Sequence, residues 1–359
     1  MFETKKFDFY LFMPVILLLI FSLGMVLSVS PAIITDHLFY TLVSLVLFFI
    51  FCFLDYGVLV SLSPLIYVFC LIFLILPFIF GTVTRGSVRW IPIGNYTIQP
   101  SEIIKPFLCL FTAWYWGRKK YSHGNLLKLF IFFLPFFILI FLQPDLGSML
   151  VILSIFTGTL LYSGIKTKQI ILFLVITVGL LPLFWFSLKD YQKTRVYHFL
   201  NPLSDPLGEG YNQIQAKITV GSGRLWGLGL GKGSQSHLFF LPEKHTDFIF
   251  SSMAEEFGFL GSVLLLLLYF LLFLRILKIA SSCSSRESFL LVMGIFFGMS
   301  FQTLVNIGMN LGLLPITGIT LPLFSYGGSS LAASMIGLGI ICNVSRINSI
   351  SKIVSIKHF

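Results

Sequence analysis

Charged residues are scarce in this chain of 359 residues. They make up 11% of it, whereas 57% is hydrophobic and the mean hydropathy is +0.95. A soluble domain carries roughly 25% charged residues, so this composition excludes a protein whose whole surface faces water. The uncharged runs at 56–84 and 257–274 are close to or longer than the roughly 20 apolar residues that cross a bilayer core. The sequence therefore predicts an integral membrane protein.

Several chemical signatures are also missing. The five cysteines include no CxxC pair, which gives no support to a disulfide framework or a thiolate metal site. No HExxH spacing is present, so a zinc site is not expected. The glycine-rich stretch 221–233 does not match GxxxxGK[ST], because Trp226 and Gly233 occupy two required positions. Loop flexibility is the favoured interpretation of these glycines, and close backbone approach to a ligand is the alternative.

The apolar runs predict an all-α, polytopic protein of about ten transmembrane helices that forms a single domain over 1–359. The first run follows Lys5 and Lys6, but its length and the many later spans favour an uncleaved helix over a signal peptide. The predicted spans are 10–29, 38–54, 59–80, 101–117, 126–142, 146–162, 170–188, 257–277, 289–312 and 329–345. A large extracytoplasmic loop, 189–256, separates the seventh span from the eighth, and a loop of this length is expected to have a function.

Loop charges predict the orientation. Short loops and span ends at 118–120, 275–278 and 346–352 are rich in Lys and Arg, and such loops face the cytoplasm. Both termini are then cytoplasmic. Most carboxylates fall on the outer face instead, together with a second set of cations. Because polar residues are concentrated on one side, the sequence favours an outward-facing site.

Two predicted helix starts carry charged side chains. Glu102 complements the positive helix N-terminus, which is a sufficient structural role, but Lys105 lies on the same face and opposes the dipole. We therefore expect Lys105 to have an anionic partner, either a side chain or a ligand. Asp145 follows Gln143-Pro144. It could cap the next helix, pair with a cation or bind a divalent metal ion, and the sequence leaves these alternatives open.

Outer arginines and lysines suit phosphate. Arg85, Arg89, Arg195 and Lys217 lie on the predicted outer side, and the planar guanidinium of arginine donates in parallel to phosphate oxygens. Contact with lipid headgroups, with Trp90 as an interfacial anchor, is the alternative.

The segment 240–250 is the most polar helix edge in the chain. Glu243, Lys244, His245, Thr246 and Asp247 are consecutive, and a capped helix start accounts for only one of them. A semi-buried carboxylate here can act as a general base, and His245 is the alternative. The uncharged segment 312–330 contains prolines and glycines that break helicity at membrane depth, which predicts a re-entrant wall of a site.

These motifs resemble the SEDS family of membrane proteins (shape, elongation, division and sporulation). The agreement spans the chain and includes 86–90, 99–105, 143–147, 201–218, 241–250, 254–261 and 314–330. Asn201-Pro202, Gly233-Ser234-Gln235 and Lys244 look more like the elongation type than the division type. The resemblance implies a peptidoglycan glycosyltransferase that polymerises lipid II, releases undecaprenyl pyrophosphate and works with a class B penicillin-binding protein in the bacterial cytoplasmic (inner) membrane.

The resemblance also assigns roles. Asp247 corresponds to the family's essential aspartate and is the expected base. Glu102, Lys105 and Asp145 correspond to the family's charged positions. Arg85, Arg89, Lys105, Arg195 and Lys217 are expected to bind the diphosphate, with Glu102 and His245 as further substrate contacts. A divalent cation, Mg²⁺ or Mn²⁺, could be held by Asp145 or Glu102, and no organic cofactor is expected. A lipid II flippase is the alternative function, because intramembrane charges and broken helices fit transporters too.

Overall fold

The computed structural model describes residues 7–356 apart from 85–86, 95, 167, 172–185, 187–189, 207–209 and 239. The described elements are predominantly helical. The helices are α1 (Phe9–Val29), α2 (Ile34–Phe53), α3 (Tyr56–Ser61), α4 (Ser63–Phe80), α5 (Pro100–Arg118), α6 (His123–Leu142), α7 (Leu146–Leu161), α8 (Asp190–Leu200), α9 (Tyr211–Ser222), α10 (Ser234–His237), α11 (Ile249–Ser281), α12 (Arg286–Asn310) and α13 (Gly328–Ile356), with short 3₁₀ turns at Pro31–Ile33 and Pro202–Ser204.

The helices confirm an all-α, polytopic membrane protein. Seven are long and apolar enough to cross a bilayer: α1, α4, α6, α11, α12, the 31–53 segment that contains α2, and residues 328–348 of α13. The shorter α7 is also apolar, and α5 is a 19-residue helix with charges near both ends. These nine helices coincide with nine of the predicted spans. The predicted seventh span, 170–188, falls almost entirely outside the described residues.

Close helix packing forms the core. Helix α2 packs along α13, and α5 and α7 pack against α12. Small residues allow this approach: a side chain at Gly339 of α13 would meet the backbone of Phe48 in α2, and one at Gly158 of α7 would meet the Phe297 ring. The apolar core includes Phe48, Phe133 and Phe156, which are almost completely buried.

A small antiparallel sheet interrupts the helices between α4 and α5. Its strands are β1 (Thr82–Thr84), β2 (Ser87–Ile93) and β3 (Tyr96–Ile98), with β2 in the centre. Thr82 lies opposite Trp90, and Ile91 lies opposite Ile98. The sequence predicts only a short outer stretch here, and the strands escape prediction because they are three to seven residues long. The sheet delivers Arg89 and then leads directly into α5.

The segment 189–256 is more ordered than the predicted loop. It contains α8, α9, α10 and the first turns of α11. Helix α11 is broken at Gly258, whose φ of 66° and ψ of −159° are not helical. Leu228 and Gly229 donate backbone N–H groups to the carbonyls of Glu255 and Glu256, at 2.9 and 3.0 Å, beside this break. The glycine-rich stretch therefore packs against an interrupted helix, and the expectation that it is a flexible loop is not supported.

Candidate active site

The segment that carries Asp247 is held by its backbone carbonyls. The His245 carbonyl accepts from Tyr326 N at 2.9 Å, and the Thr246 carbonyl accepts from Ser325 Oγ at 2.7 Å. The Asp247 carbonyl accepts from the amide nitrogens of two α12 side chains, Asn306 and Asn310, both at 3.0 Å. Three consecutive carbonyls are thus bound by the 311–327 segment and α12, and we call residues 245–247 the clamped segment.

The side chains of the clamped segment line the same region. The Asp247 carboxylate is half-buried and lies beside Gly318, where a Cβ would be 3.8 Å from Asp247 Oδ2. Gly318 also has a φ of +71°, which favours glycine. The His245 ring packs edge-to-face on Tyr326, with 5.5 Å between ring centroids, and its Nδ1 lies 3.5 Å from Ser30 Oγ. The re-entrant segment predicted from its prolines and glycines thus packs against both predicted site residues.

Strained backbone lies on both sides of this contact. Glu243, two residues before the clamped segment, has a φ of 50°, and Leu323 in the 311–327 segment has a φ of 65°. A positive φ at a non-glycine residue costs about 1–3 kcal/mol, and such residues cluster at functional sites. Thr246 N and Phe248 N both donate to the Glu243 carbonyl, at 3.1 and 3.2 Å, which holds the turn in place.

Glu102 and Lys105 form a buried ion pair. Lys105 Nζ lies 2.5 Å from Glu102 Oε1, and the two side chains are 8% and 12% exposed. Ser148 Oγ also donates to Glu102 Oε1, at 3.2 Å, and Lys105 Nζ reaches Gln302 Oε1 at 3.5 Å. The expectation that Lys105 has an anionic partner is met by Glu102 itself. The pair lines a pocket whose wall also includes Val151 and Ile155.

A polar stripe on α12 connects the ion pair to the clamped segment. Gln302, Asn306 and Asn310 are four residues apart and share one face of the helix. Gln302 Nε2 donates to the Thr320 carbonyl at 3.2 Å, and Asn306 Nδ2 donates to the Ile319 carbonyl at 2.7 Å. The stripe therefore holds the 311–327 segment. It also places Gln302, which contacts Lys105, about one helical turn from Asn306, which binds the Asp247 carbonyl.

Asp145 caps α7, and both of its carboxylate oxygens accept hydrogen bonds from the protein. Its Oδ1 accepts from Ser148 N at 3.1 Å, and its Oδ2 accepts from Gln99 Nε2 and Ser101 Oγ, both at 2.8 Å. Arg89 Nη1 lies 3.8 Å from Oδ1. Burial alone would raise the pKa of the Asp145 carboxyl, but Arg89 and the hydrogen bonds hold it below its usual value. Capping and pairing, two of the three alternatives left open by the sequence, are both observed.

The surroundings of Asp145 and Glu102 do not fit a metal ion. Both Asp145 oxygens already accept from N–H or O–H groups, and an ammonium lies against Glu102. Among the described residues, no group of three or more His, Cys, Asp or Glu side chains is arranged to hold a metal. We derive no step through a divalent cation, and the cation stays a prediction from the sequence.

The predicted phosphate-binding cations are spread over several elements. Arg89 is held by β2 with its side chain 25% exposed, and its Nε is buried without an acceptor in the described part of the chain. Lys217 on α9 is exposed, and its methylenes lie against Gly312 at the start of the 311–327 segment. Arg85 lies outside the described residues, and so does the side chain of Arg195, on α8.

Two buried carboxylates hold α10, which directly follows the glycine-rich stretch. Glu255 accepts from Gln235 N at 2.8 Å and from Ser236 Oγ at 2.7 Å, at the start of α10. Glu256 accepts from Ser28 Oγ at 2.7 Å and lies 2.9 Å from His237 Nε2. These contacts satisfy both carboxylates within the fold, and neither resembles a base that faces a substrate.

Lys244 is tied to the same helix. Its Nζ donates to the Ser236 carbonyl at 2.5 Å, and Ser252 Oγ donates to the Lys244 carbonyl at 3.1 Å. Burial lowers the pKa of the Lys244 ammonium, and the charge of Glu256 opposes this shift. Lys244, which directly precedes the clamped segment, therefore links α10 to that segment.

Comparison with known proteins gives the class of this fold and site. The family model FTSW_RODA_SPOVE, described as a cell cycle protein, matches residues 4–350. "Peptidoglycan glycosyltransferase MrdB" of Escherichia coli (strain K12) is 39% identical over 286 residues, which is 79% of this chain and 77% of that protein. "Probable peptidoglycan glycosyltransferase FtsW" of Aromatoleum aromaticum is 37% identical over 288 residues, 78% of this chain and 69% of that protein.

Solved structures share the architecture. A chain described in "Structural coordination of polymerization and crosslinking by a peptidoglycan synthase complex" matches with a TM-score of 0.85 and 32% identity, covering 96% of this chain and 98% of that one. The rod shape determining protein RodA of Thermus thermophilus matches with a TM-score of 0.72 and 29% identity, covering 95% and 97%. This chain belongs to the SEDS family, the FtsW/RodA/SpoVE group, and is a peptidoglycan glycosyltransferase.

Proposed function

We propose that this glycosyltransferase polymerises lipid II into glycan strands during cell elongation and rod-shape maintenance, releasing undecaprenyl pyrophosphate. The observation that carries the proposal is the clamped segment. Four donors from two elements fix the backbone of residues 245–247, while the Asp247 carboxyl stays half-buried beside Gly318. A base that must accept a proton in one geometry benefits from such positioning.

Asp247 acts as the general base in this proposal. It accepts the proton of the acceptor sugar's hydroxyl while that oxygen forms a bond to the anomeric carbon of the donor. The bond from the anomeric carbon to the lipid diphosphate breaks on the opposite face, so the centre inverts. His245 lies beside the same segment and is assigned to substrate contact.

The departing diphosphate requires positive charge. Arg89 is assigned to this contact, because its guanidinium is partly exposed and its Nε has no acceptor among the described residues. Lys217 is exposed and contributes from α9. Lys105 is already neutralised by Glu102, so the pair is assigned to shaping the site. Arg85 and Arg195 stay predicted diphosphate contacts.

Polymerisation of purified lipid II tests the base, with moenomycin present to silence contaminating polymerases. Asp247→Ala and Asp247→Asn are expected to abolish glycan synthesis while the protein stays folded. Asp55→Asn is the matched control, because Asp55 Oδ1 caps Gly57 N at the start of α3, and an asparagine retains that acceptor. Substantial synthesis by Asp247→Ala would sink the assignment. Transport of lipid II without synthesis by the wild type would favour the flippase alternative.

The elongation role and the partner belong to the same proposal. Asn201-Pro202, Gly233-Ser234-Gln235 and Lys244 favour the elongation type, and we infer a class B penicillin-binding protein as partner because the similar chain comes from a peptidoglycan synthase complex. The loop charges support an orientation in the bacterial cytoplasmic membrane with both termini cytoplasmic and the site outward. Restoration of rod shape, but not division, in cells that lack the corresponding protein is the expected outcome. Rescue of division alone would assign the division type.

A further inference from the structure

Two of the five cysteines meet between α2 and α13, far along the chain from each other. Cys52 lies in the last turn of α2 and Cys342 lies in α13. Both side chains are fully buried, and their sulfur atoms are 3.0 Å apart. Nothing in the proposed glycosyl transfer uses this thiol pair.

The backbone around the thiol pair is fixed by other groups. The Cys52 carbonyl accepts from Asn343 Nδ2 at 2.9 Å and from Arg346 Nη1 at 2.6 Å, both on α13. Asn343 Oδ1 also accepts from Tyr56 N at 3.0 Å, just beyond the end of α2. These contacts hold the end of α2 against α13 independently of the thiols. A disulfide has a sulfur–sulfur distance of about 2.05 Å, so the sulfurs need to approach by only about 1 Å.

A cation and three exposed residues lie beside the thiol pair. Arg346 Nη1 lies 3.9 Å from Cys52 Sγ, where it is positioned to stabilise the thiolate that reacts with oxidants. Phe53, Leu54 and Asp55 follow Cys52 and are all exposed. The thiol pair therefore lies next to an exposed part of the fold, which gives a small oxidant a short route to it.

We propose that Cys52 and Cys342 are an oxidisable thiol pair that forms a disulfide between α2 and α13 with a two-electron oxidant such as hydrogen peroxide. The Cys52 thiolate attacks peroxide, which gives a sulfenic acid and hydroxide. The Cys342 sulfur, having lost its proton, then attacks the sulfenic sulfur, the S–O bond breaks and hydroxide leaves. The two thiols lose two electrons and two protons in total, and peroxide becomes two water molecules.

The link would restrain helices that also meet at the candidate active site. Tyr40 of α2 lies against Gly328, the first residue of α13, and its ring is 5.9 Å from that of Tyr326. Tyr326 in turn binds the His245 carbonyl. A disulfide at the other end of these helices therefore fixes the register of two elements that support the clamped segment.

Thiol counting on the purified full-length protein tests the pair. After peroxide treatment, removal of the oxidant and denaturation, maleimide labelling is expected to fall from five thiols to three, with a linked peptide containing Cys52 and Cys342. Dithiothreitol should restore all five. Cys342→Ser should give no linked peptide and no reversible loss of two thiols.

Cys70→Ser is the matched control, because Cys70 is equally buried but lies on α4. This variant should still lose two thiols reversibly and give the same linked peptide. The proposal is overturned if the wild type keeps all five thiols, if the linked peptide joins other cysteines, or if Cys342→Ser loses two thiols reversibly.

Discussion

Replacing Asn306 should lower the activity of the protein by more than the accompanying loss of stability explains. Asn306 is completely buried, and its Nδ2 donates to the carbonyls of Asp247 and Ile319. Asn306→Ala removes both bonds. The Asp247 carbonyl keeps the hydrogen bond from Asn310, but the Ile319 carbonyl loses the hydrogen bond from the Asn306 side chain. A buried carbonyl left unsatisfied costs about 1–3 kcal/mol and the second bond about 0.5–1.5 kcal/mol, so we expect the free energy of unfolding to fall by about 1.5–4.5 kcal/mol.

The same change should lower activity, because it releases one of the two side chains that hold the Asp247 carbonyl. A displacement of about 1 Å can cost a factor of about 100 in rate. We expect glycan synthesis from purified lipid II to fall between about tenfold and a hundredfold per folded molecule. Thermal unfolding in detergent measures the folded fraction, and gel analysis of labelled glycan strands measures the rate.

Asn343→Ala is the matched control for this experiment. Asn343 is buried and also makes two hydrogen bonds, to the Cys52 carbonyl and from Tyr56 N. It lies 15 residues beyond Gly328 on α13, which is about 22 Å along a helix. Its loss should reduce stability by a similar amount and leave activity per folded molecule unchanged. Equal losses of activity in the two variants, or full activity in Asn306→Ala, would refute the positioning argument.

Two further predictions concern the charged groups. Lys105→Met leaves the buried Glu102 carboxylate without its partner and should cost about 3–5 kcal/mol in unfolding free energy. The double variant Glu102→Gln/Lys105→Met should recover much of this loss. A double variant that is no more stable than the single one would contradict the pairing. The pKa of Asp145 is lowered in the folded protein. The stabilisation from its ionised carboxylate is therefore complete above the pKa of the unfolded chain, about 3.9, and is lost as pH falls through the lower pKa of the folded protein. Arg89→Gln should raise the pKa of Asp145 in the folded protein and shift the loss of stability in acid to higher pH. Unfolding temperatures measured across the acid range test this, and a curve that does not shift would show that Arg89 has no such role.

The spans and the helix caps could be predicted because they depend on local chemistry. A bilayer requires about 20 apolar residues for each span, and that requirement alone locates seven of the described helices. Asp145 is followed by an apolar run, as a helix cap is, and Glu102 and Lys105 are three residues apart on one helix face. These contacts involve residues near one another in the sequence, so spacing is sufficient to predict them.

The clamped segment could not be predicted in the same way. Its donors come from residues 59 to 81 positions away. Every residue has a backbone carbonyl, so the sequence does not show which carbonyls accept these hydrogen bonds. One signal was present: Gln302, Asn306 and Asn310 recur every fourth residue in a mostly apolar helix. Uncharged polar residues at helical spacing inside a span indicate hydrogen bonding to another element. Looking for that spacing would have indicated the stripe, although not its partners.

The placement of irregular backbone explains why the candidate site depends on the whole fold. An unsatisfied backbone group costs several kcal/mol at membrane depth, so every break needs donors from elsewhere. The break at Gly258 is satisfied by the glycine-rich stretch. The 311–327 segment is held by the polar stripe on α12 and in turn binds the clamped segment. Because main-chain groups make these contacts, replacing the Asp247 carboxyl leaves this set of hydrogen bonds in place, whereas replacing Asn306 removes part of it. The two variants therefore separate the chemistry of the base from its positioning.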